Sequence, residues 1–239
     1  MIDIKIIASG SSGNCYRISD GKTALLLDAG IPIKQLQKAL DFRLGDIRGC
    51  FITHQHSDHC KGADELYKRG IPLYGNTDLA LALDDLTRVN RLKALHPVGV
   101  DTWTVTPFDV YHDVPCLAYK LQSLVTGESL LYMTDAGECR YVIHDIDYMI
   151  VEANHSRELV DRNEKDGIIT SMLAKRIRAT HMSIDTLCEY LGADKNDGRF
   201  DTSKLKHIYL VHLSDNNSNA EEFKSMVQQF VPNAQVTVI

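Results

Sequence analysis

The sequence predicts an α+β fold in which two β-sheets pack face to face and helices cover their outer surfaces. Two halves of the chain each begin with several short strands and continue with helices. The 239 residues, 44% of them apolar and 24% charged, have the composition of an ordinary globular protein. No linker rich in Pro, Gly or Ser divides them. We therefore expect a single domain over residues 1–239.

Strands open the first half of the chain. The segments IDIKIIA, CYRIS and TALLLDAG are rich in β-branched residues or alternate in polarity, with Gly, Asn and Ser between them. Apolar side chains at helical spacing predict a helix over Pro32–Phe42, and GCFITH is a buried strand after it. Helices over Ala63–Arg69 and Asp78–Leu86 flank the strand IPLYG.

Strands return in the second half as DTWTVTPFDVYH, CLAYKLQS, SLLYMTD and YMIVEAN. Helices then dominate, and we predict them over Gly167–Arg178, Ser183–Leu191 and Ala220–Phe230. The strand HIYLVH interrupts these helices, and AQVTVI closes the chain.

The first residues and the cysteines indicate a compartment. MIDIKIIASG lacks the apolar stretch and cleavage site of a signal peptide, and no apolar run approaches the roughly 20 residues that span a bilayer. Six cysteines are scattered without a CxxC pair, which is typical of free thiols in a reducing compartment. We therefore expect a cytoplasmic protein with no membrane partner.

Histidines cluster in THQHSDHC, directly after the buried strand GCFITH. His54, His56, Asp58 and His59 stand within six positions, although the whole chain has only ten histidines. A polar turn is the simplest alternative, but imidazole and carboxylate are also ligands for zinc, manganese or iron. Because adjacent residues point apart, two ions about 3.5–4 Å apart accommodate the donors better than one. The cluster thus predicts two divalent metal ions, Mn or Zn.

Further ligand types stand at or just past the ends of other predicted strands, at His112, Asp135, His155 and His212. Strand ends on one edge of a sheet converge in space even when they are far apart in the sequence. We therefore expect these side chains to join the histidine cluster in one site.

This ordered set of motifs resembles the metallo-β-lactamase superfamily, which implies a four-layer αββα sandwich. The resemblance implies that one metal is held by His54, His56 and His112, and the other by Asp58, His59 and His212. Asp135 would bridge the two ions, and Asp28, at the end of a strand, would steady the HxHxDH loop.

The stretches ASGSSGNCYRI, LLLDAG, FITHQHSDH, VEANH, THMS and HLSDNN look like the YycJ (WalJ) group, whose active site resembles that of ribonuclease Z. Members of that group are nucleases that act on double-stranded DNA from the 5′ end. The resemblance implies a DNA exonuclease that works 5′ to 3′ through a hydroxide between two metals. Ser156 departs from the group, which usually has an aspartate there.

Two histidines outside the metal set are candidates for a role in the reaction. His181, in ATHMS, matches the HxS/T histidine of ribonuclease Z-like enzymes and is, with Asp58, an expected catalytic residue; the alternative is a helix cap. His155 is either a substrate contact, through the VEANH match, or a polar group at a strand end.

Two segments could bind substrate. The loop that contains Ser11 and Asn14 could offer backbone N–H groups to a phosphate, or be only a tight turn. The run AKRIR places Lys175 and Arg178 on one helix face, which could contact a nucleic-acid backbone or be solvated surface.

Three functions compete at this point. A metal-dependent phosphodiesterase acting on nucleic acid, with DNA favoured over RNA, is favoured by the YycJ-like motifs. A hydrolase of cyclic nucleotides or other small phosphodiesters is the alternative, and the net charge of −6 favours it. A thiolester hydrolase of the glyoxalase type is the third.

Overall fold

A computed structural model of the chain describes residues 1–192 and 200–239. These residues group into two compact units. The first, which we call the N-terminal unit, comprises Met1–Asp109 and Val114–Glu128. The second, the C-terminal unit, comprises Val110–Asp113 and Ser129–Ile239. The expectation of one domain over the whole chain stays a prediction.

The N-terminal unit contains a six-stranded sheet in the order β1-β2-β3-β4-β5-β6. The strands are β1 (Asp3–Ala8), β2 (Cys15–Ser19), β3 (Ala24–Leu27), β4 (Ile47–Phe51), β5 (Leu73–Gly75) and β6 (Val89–Arg91). The first three strands are antiparallel, and β3 to β6 run parallel. Three further strands follow: β7 (Val98–Val100), β8 (Trp103–Val110) and β9 (Cys116–Ser123). The sequence analysis missed the three-residue strands β6 and β7, because segments so short carry almost no alternation.

Four short helices belong to this unit: α1 (Ile33–Ala39), α2 (Ser57–Cys60), α3 (Ala63–Tyr67) and α4 (Thr77–Ala82). Helix α1 ends before the predicted Phe42 because Asp41 and Phe42 have left-handed backbones, with φ of 51° and 59°. Helix α4 begins at Thr77 because the Asn76 side chain accepts a hydrogen bond from the Leu79 N–H, 2.8 Å away. Side chains such as Leu26, Ile52 and Leu66 form the apolar core of the N-terminal unit.

The C-terminal unit contains four parallel strands in the order β13-β12-β11-β10. They are β10 (Ser129–Met133), β11 (Tyr148–Glu152), β12 (His207–Val211) and β13 (Gln235–Val238). Glu152 pairs with Val211, and Met133 with Val151, so β10, β11 and β12 end at the same edge of the sheet. Whatever follows each strand is therefore brought to that edge.

Four helices complete this unit: α5 (Arg157–Lys165), α6 (Ser171–Thr180), α7 (Ile184–Gly192) and α8 (Ala220–Phe230). The sequence analysis missed α5, in which only two of nine residues, Leu159 and Val160, are apolar. Helix α6 begins at Ser171 and not at the predicted Gly167, which has a φ of 72°. The Thr170 side chain caps it by accepting from the Leu173 N–H at 3.2 Å. The predicted helix over Ala220–Phe230 is confirmed.

Among the residues that the structure describes, no helix has both the length and the apolar character needed to cross a lipid bilayer.

Candidate metal centre

In the N-terminal unit, a buried carboxylate anchors the histidine motif. Asp28 follows β3, and its N–H donates to the carbonyl of Phe51 at the end of the parallel strand β4. The Asp28 Oδ1 atom accepts from the Thr53 N–H at 2.8 Å, and Oδ2 lies 2.7 Å from His59 Nδ1. Because a carboxylate only accepts, Nδ1 of His59 carries the proton and Nε2 presents its lone pair. Asp28 therefore fixes the orientation of His59.

The other donors of the motif lie around this anchor. His54 Nε2 is 3.0 Å from His56 Nδ1, with the two rings nearly perpendicular at 80°. The Thr53 hydroxyl lies 3.0 Å from His54 Nδ1 and 3.2 Å from Asp28, so it links two of the histidines to the anchor. Asp58 Oδ2 is 3.5 Å from His59 Nε2, in the short helix α2. Four nitrogen and oxygen donors thus occupy one short segment.

The loop that was expected to bind phosphate has another contact. Asn14 is fully buried, and its Nδ2 lies 3.2 Å from His59 Nε2. Its backbone N–H donates to the Asp58 carbonyl at 2.7 Å, and its Oδ1 accepts from the Gly10 N–H. Asn14 therefore contacts the histidine motif through both its side chain and its backbone. Ser11 is exposed at the tip of the loop, and its role in substrate binding stays a prediction.

In the C-terminal unit, the aligned ends of the parallel strands gather a second group of donors. Asp135 lies two residues past β10, Glu152 ends β11, and His212 directly follows β12. Asp135 and His212 have left-handed backbones, with φ of 51° and 58°, and Asp28 shares this feature with a φ of 55°. Such values are uncommon outside glycine and often mark functional positions.

Glu152 is the residue that the sequence analysis missed. It is fully buried, and its Oε1 lies 2.7 Å from His181 Nδ1 and 2.8 Å from His212 Nδ1. Its Oε2 accepts the backbone N–H groups of Ala136 at 3.2 Å and Met182 at 2.9 Å. A charged residue that ends the apolar strand YMIVE was the available signal, because a buried carboxylate needs partners.

His181 ends helix α6, and its Nδ1 also lies 3.2 Å from Asp135 Oδ1. Burial alone would lower the pKa of His181, but the charge of Glu152 and the hydrogen bonds to Asp135 and Glu152 raise it well above its ordinary value. Burial would likewise raise the pKa of Glu152, but His181 lowers it. Both pKa shifts favour an imidazolium paired with a carboxylate.

His112 is oriented by backbone, since its Nδ1 donates to the Thr180 carbonyl at 2.8 Å. Its Nε2 lies 3.1 Å from Asp113 Oδ1, and the His112 and His181 ring centres are 5.9 Å apart. Burial lowers the pKa of His112, which keeps the ring neutral as a ligand must be. The structure thus brings His112 to the group that contains Asp135 and His212.

His155 lies outside that group. Its side chain is 1% exposed, and burial lowers its pKa to about 4, so the ring is neutral. Its Nδ1 has no hydrogen-bond partner among the residues that the structure describes. Its backbone carbonyl accepts from the Ile184 N–H at 2.8 Å. Contact with substrate stays a prediction for this residue.

The three cations of the run AKRIR differ in their surroundings. Arg178 is held by Asp161 Oδ1 at 2.6 Å and by Glu164 Oε2 at 2.7 Å. Lys175 is exposed and makes no ion pair within residues 1–192 and 200–239. Arg176 lies 3.7 Å from Asp113, next to His112. Arg178 is thus neutralised by helix α5, whereas Lys175 remains available to a partner.

The donor chemistry of both units fits divalent metals. In the C-terminal unit, ligand atoms of Asp135, Glu152, His181 and His212 all lie within 4.8 Å of one another. In the N-terminal unit, the ring nitrogens of His54 and His56 face each other at a spacing that ligation of one ion would produce. Each of His59, His112 and His212 has its Nδ1 occupied by a carboxylate or carbonyl, as is usual for histidines that bind metal through Nε2.

Comparison with known proteins shows which fold the chain has. Residues 8–102 match the family model described as "Metallo-beta-lactamase superfamily". The crystal structure of the metallo-β-lactamase fold protein YhfI from Bacillus subtilis aligns with 100% of this chain and 97% of its own, with a TM-score of 0.73 and 17% identity. The chain therefore has the metallo-β-lactamase fold, which confirms the expected αββα fold class. The match to the family model supports the expected assignment as a hydrolase.

Two curated relatives are more specific. Exodeoxyribonuclease YycJ of Bacillus anthracis is 28% identical over 243 residues, which is 95% of this chain and 88% of the relative. Exodeoxyribonuclease WalJ of Streptococcus pneumoniae (serotype 2, strain D39) is 28% identical over 244 residues, covering 94% and 86%. The chain is thus similar to proteins of the YycJ (WalJ) group, which the motifs had indicated.

Proposed function

We propose that the chain is a metal-dependent phosphodiesterase that hydrolyses DNA as an exonuclease, working 5′ to 3′. The observation that carries the proposal is the His181–Glu152 pair beside Asp135, because it supplies a protonated imidazole next to metal-ligand types. Two relatives with the name exodeoxyribonuclease, each similar over most of its length, support the choice of DNA.

The proposed cofactor is a pair of divalent ions, Mn or Zn. The residues that would hold the ions are His54, His56, Asp58 and His59 in the N-terminal unit and His112, Asp135 and His212 in the C-terminal unit. When bound, such ions supply an activated water and neutralise charge on the phosphoryl oxygens. The protein's part is to hold the rings at the correct tautomer, which Asp28 does for His59 and Glu152 does for His212.

His181 is the proposed proton donor to the leaving oxygen. Its Nδ1 proton is engaged by Glu152 and Asp135, so the Nε2 proton is the one available to substrate. Glu152 keeps the ring protonated and oriented, and it stays in place because the Ala136 and Met182 N–H groups bind its other oxygen. General acid catalysis of this kind is worth roughly 10²–10⁴ in rate.

A small phosphodiester, such as a cyclic nucleotide, is the second candidate substrate. The observation that favours it is the neutralisation of Arg178 by Asp161 and Glu164, which leaves less positive surface for a polymer. The net charge of −6 agrees with it. For either substrate we place the protein in the cytoplasm, because the described cysteines are free thiols.

The test is a substrate panel with purified protein, reconstituted with Mn or Zn and, separately, treated with chelator. The substrates are linear double-stranded DNA labelled at either end, single-stranded RNA, cyclic nucleotides and bis-p-nitrophenyl phosphate. The proposal expects metal-dependent release of nucleotides from the 5′ end of DNA, with binding that weakens steeply with salt. Cleavage of cyclic nucleotides alone would favour the second candidate. Activity that survives full removal of metal would contradict both.

A further inference from the structure

A cavity opens in the C-terminal unit, separate from the donor group. Its volume is about 620 Å³, within the roughly 300–1,000 Å³ range of small-molecule sites. The walls come from the loop of residues 137–142, the start of α5, and helix α7 with the residue Phe200. None of the residues expected from the sequence to act in the site lines it.

Two residues that line the cavity are adjacent in the chain to residues of the donor group or its contacts. Gly137 and Met182 line it, and they are the chain neighbours of Ala136 and His181. The N–H groups of Ala136 and Met182 are those that hold the Glu152 carboxylate. A molecule in the cavity would therefore contact the residues that directly follow Ala136 and His181 in the chain.

Aromatic side chains form one side of the cavity. The Tyr190 and Phe200 ring centres are 5.3 Å apart, with their planes inclined at 38°. The Tyr190 hydroxyl donates to the Tyr141 carbonyl at 3.4 Å, which ties helix α7 to the loop. Aromatic faces of this kind are the surfaces on which nucleobases stack.

The two arginines of the cavity differ in availability. Arg157 is committed, since its guanidinium binds Glu189 at 2.9 Å and the Thr186 hydroxyl at 3.0 Å. Arg140 is exposed and makes no ion pair with any residue in the described ranges. A guanidinium at the mouth of an aromatic cavity matches the phosphate of a nucleotide whose base lies inside.

We propose that this cavity binds the nucleotide next to the phosphodiester that is cut, with its base against Tyr190, which packs on the buried Phe200, and a phosphate at Arg140. The ligand class is a nucleoside monophosphate, either as a unit of the DNA end or as the released product. The inference rests on the proposed function, since it places the substrate relative to His181. It adds a binding site that would set how the end of the strand is held.

The experiment is a calorimetric titration of the metal-loaded protein with deoxyadenosine 5′-monophosphate, deoxyadenosine and inorganic phosphate. Arg140→Ala should weaken binding of the monophosphate about tenfold and leave binding of the nucleoside unchanged, because only the phosphate contact is lost. Tyr190→Leu should weaken both about tenfold, because stacking is lost. Arg162→Ala, which removes an exposed arginine of α5 outside the cavity, is the matched control and should change neither.

Equal monophosphate affinity in the wild type and both cavity variants would overturn the proposal. So would a loss in Asp135→Asn combined with none in Arg140→Ala, because the phosphate would then sit on the metals. Alkylation provides a readout that needs no variant: bound monophosphate should slow labelling of Cys139, which lines the cavity, and not of Cys60. Unchanged labelling of Cys139 at saturation would also count against it. Cleavage of bis-p-nitrophenyl phosphate by the wild type tests the proposed function independently of these outcomes.

Discussion

The two units assemble their donor groups in different ways. In the N-terminal unit, the donors come from one segment of six residues that leads into helix α2. Asp28 contacts this segment at His59. In the C-terminal unit, they come from separate strand ends and are joined by Glu152, which contacts two histidines and two backbone N–H groups. The donors of the N-terminal unit, which we call the local group, need their anchor Asp28 only to be oriented. The donors of the C-terminal unit, which we call the dispersed group, need their anchor Glu152 to be held together at all. Damage to the two anchors should therefore have unequal effects.

The largest effect is expected at the anchor of the dispersed group. Glu152→Ala leaves two buried N–H groups without their acceptor and removes the nearest acceptor from two imidazoles, so we expect a loss of roughly 3 kcal/mol or more in unfolding free energy. Activity should fall below detection. Urea unfolding followed by fluorescence measures the first, and bis-p-nitrophenyl phosphate hydrolysis the second. Glu152→Gln, which keeps the shape, should fold better and remain inactive. A wild-type unfolding midpoint for Glu152→Ala would contradict the comparison.

The next effect concerns chemistry without assembly. His181→Ala should lower kcat on DNA by roughly 10²–10⁴ while metal content stays at the wild-type level, because a proton donor is lost and no assigned ligand is. Bis-p-nitrophenyl phosphate should suffer much less, since nitrophenolate leaves without a proton. Elemental analysis and kinetics on both substrates make the test. Equal losses on the two substrates, or loss of metal, would assign His181 to another role.

The anchor of the local group should act through metal affinity. Asp28→Asn keeps the contact with His59 but removes the charge, so we expect metal binding to weaken by roughly 10–100-fold and activity to return at high metal concentration. Asp20→Asn is the control, because Asp20 is a buried carboxylate of the same unit that binds Thr23, Thr102 and Ser123 instead. It should leave metal affinity unchanged. If both variants lose metal equally, Asp28 has no special function.

The smallest effect is expected on helix α6. Lys175→Ala should weaken DNA binding and reduce its salt slope by about one phosphate contact, whereas Arg178→Ala should change the slope little because Asp161 and Glu164 already hold that guanidinium. Fluorescence anisotropy with labelled DNA across a salt series distinguishes them. A larger change for Arg178→Ala would mean that the ion pairs open when DNA binds.

The same contrast explains how much of the molecule the sequence could predict. The motif HxHxDH is contiguous, so its donors and the strand before it are visible without a structure. The strand YMIVE marks Glu152 as a charged residue at the end of an apolar strand. Its partners are known only from the strand pairing that aligns the ends of β10, β11 and β12. Helix α5 was missed because only Leu159 and Val160 of its nine residues are apolar, and the neutralisation of Arg178 could not be foreseen without it. The cavity combines a loop, two helices and the separate residues Met182 and Phe200, so no local pattern encodes it.

The left-handed backbones of Asp28, Asp135 and His212 have an evolutionary consequence. Each costs on the order of 1 kcal/mol relative to a residue that adopts this conformation freely, and the cost is tolerated only while the side chain is useful. A lineage that abandons the chemistry would be free to accept glycine at these positions and would recover that backbone cost. We therefore expect relatives with glycine at the position of His212 to be unable to hydrolyse phosphodiesters. A hydrolytically active relative with glycine there would disprove this link between backbone and catalysis.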